Sequence, residues 1–121
     1  MSLYDITQLG LEAAIRGSAT RQTAIAANVA NANTPGYRRQ DVDFHGALQQ
    51  AMSAGDAAGP VLEGTQFSAT TDASAPMQAD GNSVDIDVEN SNLAKNGLEY
   101  EALVSVARAR IEILKAAMGV A

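Results

Sequence analysis

Three groups of residues in this 121-residue chain have types and spacing that could do chemistry. In the first, Asp80-Gly81-Asn82-Ser83-Val84-Asp85-Ile86-Asp87-Val88-Glu89, alternating carboxylates briefly look like a calcium loop. Such a loop needs oxygen donors at positions one, three and five, glycine at six and a bidentate glutamate at twelve. Here the fifth position is Val84, glycine is second and the twelfth position is Ser91, so the pattern fails. The second group is one residue, His45, the sole histidine of a chain without cysteine. It has no partner for a zinc site or a triad within the chain and reads as a surface histidine. The third group is Asn28, Asn31 and Asn33, followed at once by Thr34-Pro35-Gly36-Tyr37. Its chemistry is hydrogen bonding to backbone, not catalysis. No Walker or dinucleotide glycine pattern and no basic patch with aromatics occurs, so the sequence points to no catalytic residue, no metal, no cofactor and no nucleic acid.

The asparagines stand where a helix must stop. Pro35 disfavours helical geometry at Thr34, and Pro35-Gly36 suits the two central positions of a type II turn. Asn33 has the freedom to turn left-handed or to cap loose carbonyls. A helix stop explains Asn33 to Gly36 and leaves Asn28 and Asn31 over. A buried asparagine on a helix seam fixes register and partner geometry at a cost in stability.

That seam is visible upstream. Leu3, Ile6, Gly10, Ala13, Gly17, Thr20, Ala24, Ala27 and Asn31 step by alternating threes and fours, a heptad line of small residues past Ile6. A second line, Leu11, Ile15, Ser18, Gln22, Ile25, Val29 and Ala32, marks another face, which predicts two neighbours. Near the other terminus Leu93, Gly97, Tyr100, Val104, Ala107, Ile111, Leu114 and Met118 repeat the pattern with larger residues. The expected fold is all-α: two long terminal helices, 3–33 and roughly 89–119, packed as a coiled-coil-like hairpin. Small residues of one would receive the Leu, Ile and Tyr knobs of the other.

The organisation read from these patterns is a first helix with its turn (1–40), an irregular acidic linker or insertion (41–88) and a last helix (89–121). The middle has room for a short helix around Leu48 and Met52 and for short extended pieces, one of them at Val84, Ile86 and Val88. Residues 53–79, rich in Ala, Gly, Ser, Thr and Asp, have no periodicity.

Composition argues that this chain relies on neighbours. Hydrophobic residues are 46% of the chain but alanine dominates them, and aromatics are only 4%, so few side chains supply large burial. Net charge is −6, which disfavours nucleic acid and anionic membrane surfaces. Between Arg39 and Lys95 fall nine acids and no base, whereas the flanking segments hold eight bases against five acids. Opposite signs of middle and termini favour end-to-middle contacts between copies; a solvated acidic loop is the plainer reading. The first residues lack a basic region followed by an apolar run, and no stretch approaches the ~20 apolar residues that span a bilayer, so neither a cleaved signal peptide nor a lipid anchor is expected.

The stretch ANVANANTPGY resembles the N-terminal signature of bacterial flagellar rod, hook and hook–filament junction proteins, with Ala27, Asn28, Asn31, Thr34, Pro35, Gly36 and Tyr37 on the pattern. YRRQDVDFHGALQQAM behind it, the late DGNSVDIDVENSNLAKNGLEYEALV and the short chain are similar to proximal rod proteins of the FlgB type. The longer, glycine-rich turn of the sibling proximal rod protein is absent. The resemblance spans the chain outside 53–79. It implies a structural, non-enzymatic subunit that self-associates into a helical rod and meets other rod proteins, membrane-ring and rod-adaptor proteins and the flagellar export gate. It also implies export by the flagellar type III apparatus to a periplasmic rod, torque transmission and a share of the export channel. Under it, Leu3, Ile6, Gly10, Ala13, Gly17, Ala24, Ala27, Leu93, Gly97, Tyr100, Val104, Ala107, Ile111, Leu114 and Met118 would make assembly contacts, and Asn28, Asn31, Asn33, Thr34, Pro35, Gly36 and Tyr37 the corner. The contrasting reading is a soluble helical export adaptor or chaperone.

Overall fold

The structure, a computed structural model, describes residues 5–119. Its order is α1 (Ile6–Ala30), β1 (Gln40–Asp41), α2 (Phe44–Met52), a single 3-10 turn (Gly55–Ala57), α3 (Ala58–Gly64), β2 (Thr70–Thr71) and α4 (Ile86–Ala117). The fold is all-α in the expected sense, with the two long helices packed against each other. They run antiparallel: Asn28 meets Glu89, Ser18 meets Asn96 and Asp5 meets Arg110. Leu3, the first seam position, lies outside the described residues.

Both long helices start on an aspartate whose side chain accepts otherwise orphaned N–H groups. Asp5 caps α1 through the Gln8 amide (2.9 Å), and Asp85 caps α4 through the amides of Asp87 and Val88. The second cap overturns one expectation. Val84, Ile86 and Val88 alternate like a strand, yet the helix begins at Ile86, because Asp85 stops the extended backbone and its acidic first turn suits the helix dipole.

Residues 53–79 are also more ordered than their composition predicts. α3 forms there, burying Ala58 and Leu62, four apart, against α1. Pro60 falls in its first turn, where the missing N–H costs nothing. The Arg16 guanidinium donates to the Leu62 carbonyl (2.9 Å) at its end. The anchor is therefore a partner on α1, which no local periodicity announces.

α1 is covered on two flanks, by α4 on one and by α2 and α3 on the other, so the chain itself supplies both neighbours that its two seams predict. Leu9 and Ala13 pack with Ala51 and Leu62, while Ala14 and Ala24 pack with Val42 and Phe44. A Cβ on Gly17 would lie 2.5 Å from the Cβ of Phe44, so this ring can reach the helix only because residue 17 is glycine. Phe44, Ile25, Leu62 and Val84 are the large apolar side chains with almost no exposure. Each contributes on the order of 1.5–3 kcal/mol by burial. Gln8, Ser18, Asn28, Asn82, Ser83, Glu89 and Asn96 share the interior, and what these polar groups bond to decides the geometry of the corner.

Candidate functional site

The corner begins with the turn itself. The Tyr37 amide donates to the Thr34 carbonyl (3.2 Å), and Gly36 sits at a φ of 75°, which makes Thr34-Pro35-Gly36-Tyr37 the type II turn that the sequence predicts. No non-glycine residue among those described has positive φ, so Asn33 does not turn left-handed. It is exposed. The loose carbonyls of α1 are satisfied from far along the chain instead: Asn82 Nδ2 donates to the carbonyls of Asn31 (2.9 Å) and Thr34 (2.8 Å). Asn82 Oδ1 accepts the Val84 amide (2.7 Å), so this carboxamide ties the end of α1 to the entry of α4.

Asn28, not Asn31, is the buried asparagine. Its relative exposure is 0%, and its carboxamide does the work of a backbone strand edge for Gln40. Nδ2 donates to the Gln40 carbonyl (2.7 Å) and Oδ1 accepts the Gln40 amide (2.9 Å). The Tyr37 hydroxyl also donates to Oδ1 (3.3 Å), and Nδ2 reaches Glu89 Oε2 (3.2 Å). Asn31 is half-buried and bonds locally, donating to the Ala27 carbonyl (2.8 Å) and accepting from the Thr34 hydroxyl (3.1 Å). Heptad position alone had favoured Asn31. The α1–α4 interface follows the second sequence line through Ser18 and Gln22 and reaches Asn28, which lies off both lines.

Behind Asn28 lies an ion-pair cluster. Glu89 is completely buried, and Arg39 Nε donates to its Oε1 at 2.6 Å. The same guanidinium holds Asp72 (2.6 Å) and lies 3.9 Å from Asp41, which Arg21 grips at 2.9 Å. Burial works against the charge of Arg39, but hydrogen bonds to Glu89 and Asp72 outweigh it and leave the guanidinium's pKa raised. Asp72 is held below the usual carboxylate range by the hydroxyl of Ser74, then by Arg39 and the Ser74 amide. Three of the nine acids of the middle, Asp41, Asp72 and Glu89, are therefore paired within the chain, while the other six are exposed. β1 and β2 pair antiparallel, with Gln40 opposite Thr71, and carry Arg39 and Asp72 to this point.

A second polar layer sits ten residues earlier on α1. Asn96, fully buried, donates to the Ser18 carbonyl (2.9 Å) and to Gln22 Oε1 (2.7 Å). Together the layers set the α1–α4 register, since a slip would leave buried polar groups without partners. Sequence reasoning missed Arg39, Asn82, Glu89 and Asn96 as corner residues. None of them lies on a heptad line, so no local pattern signalled them.

The residues proposed for assembly divide into two sets. Gly10, Ala13, Gly17, Ala24 and Ala107 are buried inside the chain, and Leu93, Gly97, Val104 and Leu114 are half-buried. Ile6, Ala27, Tyr100, Ile111 and Met118 are exposed, so the expected Tyr100 and Ile111 knobs do not enter α1. Polar Asn96 and apolar Leu103, which lie off the sequence seam, face α1, so the contact stripe of α4 coincides with that seam only in part. His45 is exposed on the surface and contacts Glu99 at 2.6 Å. Among the described residues no group of three or more His, Cys, Asp or Glu could hold a metal ion, and no helix is long and apolar enough to cross a membrane.

What this arrangement can do is hold a helix exit at one angle. A family model described as "Flagella basal body rod protein" matches residues 12–38, which run from the second turn of α1 to just past the Tyr37 hydroxyl that bonds Asn28. The chain is 37% identical over 109 residues to the flagellar basal body rod protein FlgB of Escherichia coli (strain K12), covering 78% of this chain and 79% of that protein. It is 33% identical to FlgB of Bacillus subtilis (strain 168) over 122 residues, covering 95% of each, and 33% identical to FlgB of Proteus mirabilis (strain HI4320), covering 81% and 82%. The chain belongs to the FlgB family of flagellar basal-body rod proteins. In this FlgB-family chain the signature is thus a hydrogen-bonded device: its Asn28 fastens the corner to the strand and to α4, and Tyr37 braces Asn28.

Proposed function

We propose that this chain, a structural component of the flagellar basal-body rod, forms the proximal section of that rod. Copies pack through their long helices into a helical tube that passes torque and surrounds part of the export channel. The observation that carries the reading is the corner: Asn28, Asn82 and the Arg39–Glu89 pair bind α1, the turn and α4 into one bonded unit. Load applied to one helix is then borne by the other, while Tyr100, Ile111, Ile113 and Met118 stay exposed for neighbours. The partners in this reading are further copies, other rod proteins, membrane-ring and rod-adaptor proteins below and the export gate. The site of action is the periplasmic rod, reached through the flagellar type III apparatus.

Electron cryotomography of a deletion strain beside a complemented strain tests this. The expected result is a membrane ring and export gate lacking rod, hook and filament. A complete rod and hook in the deletion strain would replace the reading with that of an export adaptor, for which dilute protein should unfold cooperatively by circular dichroism.

A further inference from the structure

The chain contains one Asn-Gly pair, Asn96-Gly97, and it lies inside α4. An asparagine followed by glycine is the pair most prone to lose its side-chain amide, because glycine leaves its backbone nitrogen without steric cover. That nitrogen attacks the asparagine Cγ, the side-chain nitrogen leaves as ammonia, and a five-membered succinimide forms. Water then opens the ring at either carbonyl, giving aspartate or isoaspartate. The folded chain blocks this attack twice. Helical backbone holds the Gly97 nitrogen away from Cγ and commits its N–H to the helix ladder. Asn96 itself is completely buried, and both hydrogens of its Nδ2 are donated, to the Ser18 carbonyl (2.9 Å) and to Gln22 Oε1 (2.7 Å). The Ser18 hydroxyl donates to its Oδ1 at 3.4 Å. All three contacts come from α1, so the side chain is clamped only while the two long helices are paired.

The chain's own packing does not require a glycine at position 97. Its φ is not positive, and a Cβ there would meet nothing within 4 Å, whereas glycine inside a helix costs stability relative to alanine. We infer that Asn96-Gly97 is a deamidation site that the pairing of α1 with α4 keeps closed, and that reaction there excludes the chain from its own fold. The product carries a carboxylate where the carboxamide gave two hydrogen bonds. In that buried place it faces two oxygen acceptors, the Ser18 carbonyl and Gln22 Oε1, with no hydrogen to offer either. Turning the Gln22 amide over would supply one donor, but the Ser18 carbonyl belongs to the α1 backbone and cannot turn. Isoaspartate adds a methylene to the backbone of α4 and breaks the helix ladder as well. A chain that stays unfolded thus loses, in one direction only, the ability to form the hairpin.

The full chain incubated at mildly alkaline pH, in buffer and in concentrated urea, tests this when tryptic peptides are followed by mass spectrometry. Cleavage after Lys95 isolates a peptide that begins at Asn96. That peptide should gain the mass of the amide-to-acid exchange roughly tenfold or more faster in urea, since the folded rate is scaled down by the fraction of chains that open. Gly97→Ala should slow the reaction in urea severalfold and leave the helical circular dichroism in buffer unchanged. Asn96→Asp, which installs the aspartate product directly, should lower the urea midpoint of unfolding or abolish the folded state. Equal rates in buffer and urea, a urea reaction indifferent to Gly97→Ala, or an Asn96→Asp chain with the unaltered midpoint would each overturn the proposal. None of these readouts depends on where the chain assembles, so the rod reading stands or falls separately by the deletion strain.

Discussion

The corner end of the α1–α4 hairpin and its far end are built from the same helices by opposite means. At the corner, Glu89 and Asn28 are fully buried and bonded, and Arg39 joins three acids from three separate segments. At the far end, among the described residues, the half-exposed pair of Asp5 with Arg110 is the last ion pair between the helices, and Ile113 and Met118 are exposed. The difference teaches that this chain completes its own fold where the helices must hold an angle. It leaves apolar and basic surface open where, in the proposed assembly, another subunit belongs.

Removing Arg39 should break the comparison most severely. Arg39→Ala leaves Glu89 charged, buried and unpaired, and breaking such a pair costs about 3–5 kcal/mol. Urea unfolding followed by circular dichroism should show that loss, enough to unfold a small domain outright; a change below about 1 kcal/mol would mean the corner is not what holds the hairpin.

Next in size, Gly17→Ala should cost about 1–3 kcal/mol, since the new methyl collides with Phe44 and the packed core must shift. Asn28→Ala strips the partner from the half-buried Gln40 backbone and should cost a similar amount by leaving those groups unsatisfied. Asn31→Leu sharpens the contrast, because it removes only local bonds and should cost less than about 1 kcal/mol. Equal effects of the two asparagine substitutions in one denaturation series would return the register role to Asn31.

The far end should behave differently. Ile113→Ser is expected to change stability within about 0.5 kcal/mol, as exposed positions do. Swimming in soft agar should nevertheless be reduced, and a motile variant would show that this surface has no partner.

The smallest effect is on pH. Asp72, held below the usual carboxylate range, binds protons less readily folded than unfolded, so its contribution is complete above that range and fades as pH falls below about 4. Ser74 amide shifts followed by NMR should therefore be flat from neutral pH to about 5 and move below it, and Asp72→Asn should remove that movement.

Much of the architecture is legible along the chain because it depends on local chemistry. The 3.6-residue spacing of small and apolar residues announces both long helices, and Pro35-Gly36 announces the turn. α3 was not legible, for its stability comes from Leu62 against α1 and from Arg16, 46 residues earlier. The start of α4 misled because alternation over Val84, Ile86 and Val88 outweighed a cap that one aspartate supplies.

The same division runs through the corner. Sequence alone determined that a helix stops before Pro35, that Gly36 takes positive φ, and that asparagines crowd the stop, since each follows from the steric and hydrogen-bonding character of single residues. Only the tertiary structure decided that Asn28 is the buried asparagine and that Asn82 caps α1. It likewise decided that Glu89, among nine acids in the middle of the chain, is the one sealed against Arg39. Those choices depend on which groups lose water when distant segments meet, and desolvation is a property of the packed molecule, not of any residue in it.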